Sequence, residues 1–218
     1  MKIINNFLIF ICAIFIFFAM MFSFLPNYTL STNVLIGCFI IPTAIVISTI
    51  LIQTKNVIEV DVKKEIKQFW FKVLFIIYIL LLIELLFLKN EYRMISNSTK
   101  IFSVGNFNNI NIIPFSSIID YINRLNNNTI SLKIVIYNIF FNLLIFMPMG
   151  FFMLSLFNKK IRSIKHFLIF IIIITLLVEI IQFITFRGVF DIDDIIFNVL
   201  GSCLAYLIIR LKISKYTL

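Results

Sequence analysis

Long apolar runs, separated by short polar segments, follow one another along most of the chain. A run of about 20 apolar residues has the length that an α-helix needs to cross the ~30 Å hydrocarbon layer of a bilayer. Six such runs occur, and they predict six transmembrane helices. They are Phe7–Leu25, Val34–Ile52, Phe69–Leu88, Ile134–Phe157, Phe167–Phe186 and Asp191–Ile209.

The composition points to lipid as the solvent of this chain. Hydrophobic residues make up 61% of the sequence and charged residues only 13%, whereas an ordinary soluble domain carries about 25% charged residues. A soluble globule of 218 residues cannot bury so much apolar surface. The composition therefore excludes a soluble enzyme, a secreted disulfide scaffold and a disordered chain. It predicts an all-α bundle of about six transmembrane helices in contact with a lipid bilayer.

Lysine and arginine are distributed unevenly among the segments that join the runs. If the N-terminus lies inside, 13 of the 19 Lys and Arg residues lie on the cytoplasmic side. Short cytoplasmic loops of membrane proteins carry such an excess. We therefore predict that both termini are cytoplasmic. The net charge of +9 then reflects membrane orientation, and it does not require nucleic acid as a partner.

Two polar stretches suggest the domain organisation. Residues 53–68 form a charged linker, for which we expect a helix that rests at the cytoplasmic interface. Residues 89–133 form a long outer loop, in which the amphipathic stretch Ser116–Leu125 indicates a short re-entrant or surface-lying piece. We thus expect an N-terminal three-helix region (1–104), a second membrane domain (105–210) and a short basic cytoplasmic tail (211–218).

The last three runs carry polar residues that a bilayer interior disfavours, since a carboxylate at a helix centre costs about 2.5–3.5 kcal/mol. Asn138 and Asn142 lie one turn apart in the fourth run, and Glu179 and Gln182 share a face of the fifth. The sixth run begins with acids, which the dipole of a helix favours at its N-terminus. It contributes Asp191, Asp193, Asp194 and Asn198. With the predicted orientation, all these groups lie at the outer side.

Arg187 follows the fifth run and is the expected counter-ion of the acids. Its planar guanidinium can hold two carboxylate oxygens at once, from Glu179, Asp191 or Asp194. Gly150 and Gly201 are small enough to let helices approach closely.

In their order and spacing, these residues resemble the VanZ-like family of bacterial membrane proteins, which is named for a teicoplanin-resistance factor. The resemblance covers about residues 105–210, and the first two spans, the linker and the third span match no family pattern. The shared residues are Asn111-Ile-Ile-Pro114-Phe115, Asn138-x3-Asn142, Phe146-Met-Pro148-Met-Gly150, Glu179-x2-Gln182, Arg187, Asp191-x-Asp193-Asp194, Asn198 and Gly201.

The resemblance implies a multi-pass protein of the bacterial plasma membrane and cell envelope. In some members it implies lowered susceptibility to teicoplanin-type glycopeptide antibiotics. It supplies a cellular context and not a reaction. Four residues of the pattern, Pro114, Pro148, Gly150 and Gly201, have side chains suited to helix packing and turns rather than to chemistry.

Several functions fit this polar cluster. The first is a site facing the outer leaflet that binds or remodels a lipid-linked cell-wall precursor or a glycopeptide. Its ligand contacts would be Asn111, Asn138, Asn142, Gln182, Arg187 and Asn198. The second is an intramembrane hydrolase or transferase in which Glu179 is the general base and Asp191 and Asp194 orient water or a divalent ion.

The third function is structural, a buried polar network that only holds three helices together. A proton-coupled transporter is less favoured, because the six runs show no inverted repeat. The sequence predicts no cofactor and no resident metal ion, since it has a single histidine and no Cys-x-x-Cys pair.

Overall fold

Helices make up nearly all of the part of the chain that the structure describes. A computed structural model of the protein describes residues 2–24, 32–55, 57–88, 110–157, 163–185 and 188–216. Within these ranges, six helical segments are long and apolar enough to cross a bilayer. The prediction of an all-α, multi-span membrane protein is therefore confirmed.

The first of two compact units comprises Met1–Asn90. It contains α1 (Lys2–Phe24), α2 (Thr32–Lys55), α3 (Val60–Ile83) and a π-helical turn at Glu84–Leu88. Two side-chain hydrogen bonds join the three helices of this unit. Trp70 Nε1 donates to Gln53 Oε1 at 3.0 Å, and Gln53 Nε2 donates to Asn5 Oδ1 at 2.7 Å.

The charged segment 53–68 differs from the separate interfacial helix that we expected. α2 ends at Lys55, residues 57–59 are not helical, and α3 begins at Val60 and runs without a break to Ile83. Residues 60–68 are therefore the first turns of α3. Their charged side chains do not interrupt the helix, because lysine and glutamate have good helix propensity.

The second compact unit comprises Glu91–Leu218, and its described part contains two very short strands and five helices. In chain order they are β1 (Ile110–Asn111), α4 (Ser116–Asn126), α5 (Leu132–Ile145), α6 (Met147–Phe157), α7 (Ile164–Ile184), β2 (Phe190–Asp191) and α8 (Ile192–Tyr216). The strands pair in parallel, with Ile110 opposite Phe190 and Asn111 opposite Asp191.

The fourth predicted span is two helices rather than one, since α5 and α6 meet at a turn at Phe146. The reason is Pro148, which has no backbone N–H to donate to the carbonyl four residues earlier. Ser202 of α8 satisfies a carbonyl at this break, because its Oγ donates to Phe146 O at 3.0 Å. Together α5 and α6 still form one candidate span, Leu132–Phe157.

Large apolar side chains are exposed along the outward faces of the spanning helices. On α5, Ile136, Phe140 and Leu144 are all exposed, and on α7 so are Ile173 and Leu177. Such surfaces are stable in contact with lipid tails and unfavourable in water. The spanning helices therefore contact the bilayer.

Candidate functional site

The polar residues singled out in the sequence meet at one end of the second unit. The middle and later turns of α5, the end of α7 and the beginning of α8 lie together there, next to the β1–β2 pair and α4. Two long-range hydrogen bonds fix their relative depth. Asp191 N donates to Glu179 Oε2 at 3.3 Å, and Asn142 Nδ2 donates to Asp194 Oδ1.

These bonds show that α8 begins inside the bundle. Glu179 lies five residues before the last residue of α7, or about 7–8 Å along that helix. Asn142 lies ten residues into α5, or about 15 Å. The first turn of α8, which carries Asp193 and Asp194, is therefore recessed below the ends of its neighbours.

Asp193 joins α8 to the start of α4. The carboxylate is 2% exposed. Its Oδ1 accepts from Phe115 N at 2.5 Å, and its Oδ2 accepts from Ser117 N at 2.9 Å. The first backbone N–H groups of a helix have no partner within the helix. Asp193 thus caps α4 from another part of the chain.

Asp191 forms a second set of hydrogen bonds around the strand pair. Its Oδ1 accepts from Asn111 Nδ2 and from Asp193 N, both at 2.9 Å, and its Oδ2 accepts from Ser117 Oγ at 2.6 Å. The bond from Asp193 N is that of a side chain capping the start of α8. Asn111 Oδ1 also accepts from Ser116 Oγ at 2.5 Å. This network holds the loop before α4 in place.

Tyr121 of α4 adds a phenol next to the acids. Asn138 Nδ2 donates to Tyr121 OH at 3.3 Å. Burial raises the pKa of the Tyr121 phenol, and the Asp194 carboxylate raises it further, against a smaller opposing effect of the hydrogen bond from Asn138. The phenol therefore stays protonated. Its O–H has no acceptor within the described part of the chain and can donate to a ligand.

Four polar side chains are almost fully buried below this layer. Thr175 and Gln182 have no exposed surface, Glu179 is 1% exposed and Asn198 is 3% exposed. Among the described residues, Asn198 Oδ1 has no hydrogen-bond partner. A buried carbonyl oxygen without a partner costs about 1–3 kcal/mol, so this oxygen is a candidate for a bound ligand.

The two glycines of the pattern lie at close contacts of α8. A Cβ on Gly150 would lie 2.1 Å from Ser202 O, and a Cβ on Gly201 would lie 1.8 Å from Leu143 O. Both distances are too short for any side chain. Pro148 stands in the first turn of α6, and Pro114 stands exposed in the loop before α4.

The expected counter-ion and the expected absence of a resident metal ion both stay predictions. Arg187, the expected counter-ion, lies outside the described residues. Within the part of the chain that the structure describes, no group of three or more His, Cys, Asp or Glu side chains is arranged to hold a metal ion.

Several residues of this cluster were missed as site residues by sequence reasoning. Ser116, Ser117 and Tyr121 stand in the amphipathic stretch, and Ser202 stands one turn after Asn198. Of these residues, only Ser116 and Ser117 could have been recognised from the sequence, because serine is common at helix starts. The role of Asp193 depends on contacts with residues nearly 80 positions away, which spacing does not reveal.

Comparison with known proteins gives one family. The model of the VanZ/LLP1 family matches residues 75–213, which is more than half of the chain. The match begins within α3, so the expectation that the third span follows no family pattern was wrong, whereas the first two spans and the linker lie outside the matched residues. No curated protein and no solved structure matches the chain. The family match agrees with the order of the pattern residues along the chain, which include Asn111, Asn142, Glu179, Asp191 and Gly201. The chain belongs to the VanZ/LLP1 family.

Proposed function

We propose that the recessed polar site binds a cell-envelope component at the outer face of the bacterial plasma membrane. Its ligand is a lipid-linked cell-wall precursor or an amphipathic glycopeptide of the teicoplanin type. The observation that carries this proposal is the buried Asn198 oxygen without a described partner, one turn below Asp194. The predominance of Lys and Arg in the segments at the opposite end supports an outward-facing site.

The polar residues of the site divide into two groups under this proposal, those that hold the site together and those that bind the ligand. Asp191 and Asp193 use their oxygens to cap α8 and α4, so they hold the site together. Glu179, Asn138 and Asn198 are the groups that bind the ligand. Asn142, Gln182 and Arg187 complete the proposed set.

Carboxylates and amide oxygens accept hydrogen bonds, and the Tyr121 phenol donates one. A lipid-linked precursor and a glycopeptide share the complementary chemistry, since both present sugar hydroxyls and peptide amides. Both also carry an apolar part, which can remain in the bilayer while the polar part enters the recess. The two ligands are distinguished by experiment.

Glu179→Gln tests the proposal. Glutamine keeps the shape of the side chain and can still accept from Asp191 N, but it removes the charge and places a donor where an acceptor stood. We expect the unmodified chain to raise the teicoplanin concentration that inhibits a susceptible host, and Glu179→Gln to lose that effect. Glu65→Gln, at an exposed position of α3, is the matched control.

Membrane abundance of each variant is measured by immunoblot in the same cells. Purified protein in nanodiscs is then titrated with lipid-linked precursor and, separately, with teicoplanin. Normal resistance and normal binding in Glu179→Gln would refute the site. If abundance falls equally in Glu179→Gln and in Asp194→Asn, the polar cluster is a folding element, as the caps made by Asp191 and Asp193 would suggest.

An enzyme is the second candidate, favoured by the contact between Ser117 Oγ and Asp191 Oδ2 at 2.6 Å and by the burial of Glu179. A hydroxyl that donates to a carboxylate, as Ser117 does to Asp191, and a carboxylate shielded from water, as Glu179 is, are each found in general-base catalysis. Prolonged incubation of the protein with labelled envelope lipid separates the two functions. Unchanged lipid would leave binding as the function of the site, and the formation of a new lipid species would show that the protein is an enzyme.

A further inference from the structure

The loop before α4 and one side of α4 expose large apolar side chains. Five of them lie within eleven consecutive residues, and we call them the apolar tip. They are Ile112 (67% exposed), Ile113 (67%), Phe115 (54%), Ile119 (58%) and Ile122 (50%). Single exposed apolar residues are common on proteins, but a contiguous group of this size marks a contact surface.

The other sides of α4 have different surroundings. Ser117 and Tyr121 face the bundle, where they bond to Asp191 and Asn138. On the side opposite Ile122, Asp120 forms an ion pair with Arg124 at 3.2 Å and is 61% exposed. The helix thus has a bundle side, a charged side and an apolar side.

The depth of α4 can be read from its contact with α5. Tyr121 touches Asn138, six residues or about 9 Å from the start of α5 at Leu132. The span Leu132–Phe157 has 26 residues and is therefore about 39 Å long, about 9 Å longer than the hydrocarbon layer. Whichever end carries the surplus, Tyr121 lies within about 9 Å of the hydrocarbon boundary. Tyr137, beside Asn138, is 44% exposed, and tyrosine is enriched at that boundary.

We propose that the apolar tip inserts into the bilayer interface at this end of the second unit. The exposed face of α5, with Ile136 and Phe140, contacts lipid, and α4 is bound to α5 at Asn138, between these two residues. The tip therefore continues a surface that the bilayer already covers. A helix of this kind lies in the interface with its apolar side about 5–10 Å deep.

The Asp193 cap gives the tip a fixed position. Its two hydrogen bonds hold the backbone on both sides of Ser116. Phe115 has a φ of 67°, which a bulky side chain rarely adopts. The apolar side chains are thus presented by a braced loop, and they need not fold on contact with lipid. This contact with lipid does not depend on the proposed ligand site.

Tryptophan fluorescence in nanodiscs tests the proposal on the full chain. Ile113→Trp and Ile122→Trp place an indole on the tip, and Asp120→Trp places one on the charged side, two residues from Ile122. All three positions are exposed, so the core is unchanged. Trp70 is fully buried and is the only native tryptophan, so the unmodified protein supplies the background emission.

We expect lipids brominated near the headgroup end of the acyl chains to quench the added emission of Ile113→Trp and Ile122→Trp. Aqueous acrylamide should leave that emission largely intact and should quench Asp120→Trp. Quenching of the two tip variants by acrylamide, as strong as that of Asp120→Trp, would overturn the proposal. Protection of the tip from both quenchers would also overturn it, since protein and not lipid would then cover the tip.

Discussion

At Gly201 the backbone of α8 lies directly against the backbone of α5. Because a Cβ would meet Leu143 O at 1.8 Å, Gly201→Ala forces the two helices apart. We expect a loss of stability of about 1–3 kcal/mol, as for other overpacked contacts. Gly37→Ala is the matched control, since nothing lies within 4 Å of a Cβ there. Thermal unfolding in detergent measures the stability of both variants, and equal unfolding midpoints for the two would contradict this account.

The residue chemistry of the site was more predictable than its pairing. Asn142, Glu179 and Asp194 stand out in a sequence because lipid disfavours them, and the structure brings them to one end of the unit. Their partners are not evident from spacing. The Asp191 and Asp193 carboxylates bind backbone and hydroxyl groups of a distant loop, and only the folded chain brings these groups together.

Among the elements, α4 depends most clearly on a distant residue. In Asp193→Asn one carboxylate oxygen becomes an amide NH2, which faces a backbone N–H of Phe115 or Ser117. Hydrogen bonds to charged groups contribute about 1.5–3 kcal/mol, so we expect the first turn of α4 to open more often. Hydrogen exchange of peptides covering 110–131 should then be faster.

Asp120→Asn is the control for this effect, because its ion pair with Arg124 is exposed and such pairs contribute little. If both variants exchange at the same rate, Asp193 is not the cap of α4.

Helix positions followed from hydrophobic length, but helix breaks did not. Apolar length reflects the thickness of the bilayer, so all six spans were predictable. The turn at Phe146 arises from Pro148, and the hydrogen bond from Ser202 to the Phe146 carbonyl satisfies that carbonyl. This bond joins distant parts of the chain, so the sequence does not reveal it. The start of α3 at Val60 was missed for a different reason. Charged residues mark the end of an apolar run but do not end a helix.

For the whole molecule, the family match covers nearly all of the second unit and the polar cluster lies at one end of it, whereas the direction in which that end faces is inferred from charge alone. The family model covers α4 to α8 and reaches back into α3. The inference that the recess faces the cell exterior depends on the predominance of Lys and Arg at the other end. Orientation therefore decides whether the site can meet an envelope ligand at all.

Cysteine accessibility in intact cells measures this orientation. Asn127→Cys lies in the exposed turn after α4, and Ser163→Cys lies in the segment before α7 that follows a basic stretch. We expect a membrane-impermeant maleimide to label Asn127→Cys in intact cells, and to label Ser163→Cys only after the cells are permeabilised. The unmodified chain gives the background of Cys12, Cys38 and Cys203. The reverse pattern would place the recess on the cytoplasmic side, where a glycopeptide cannot reach it, and the proposed function would then fail even though the fold and the family stand.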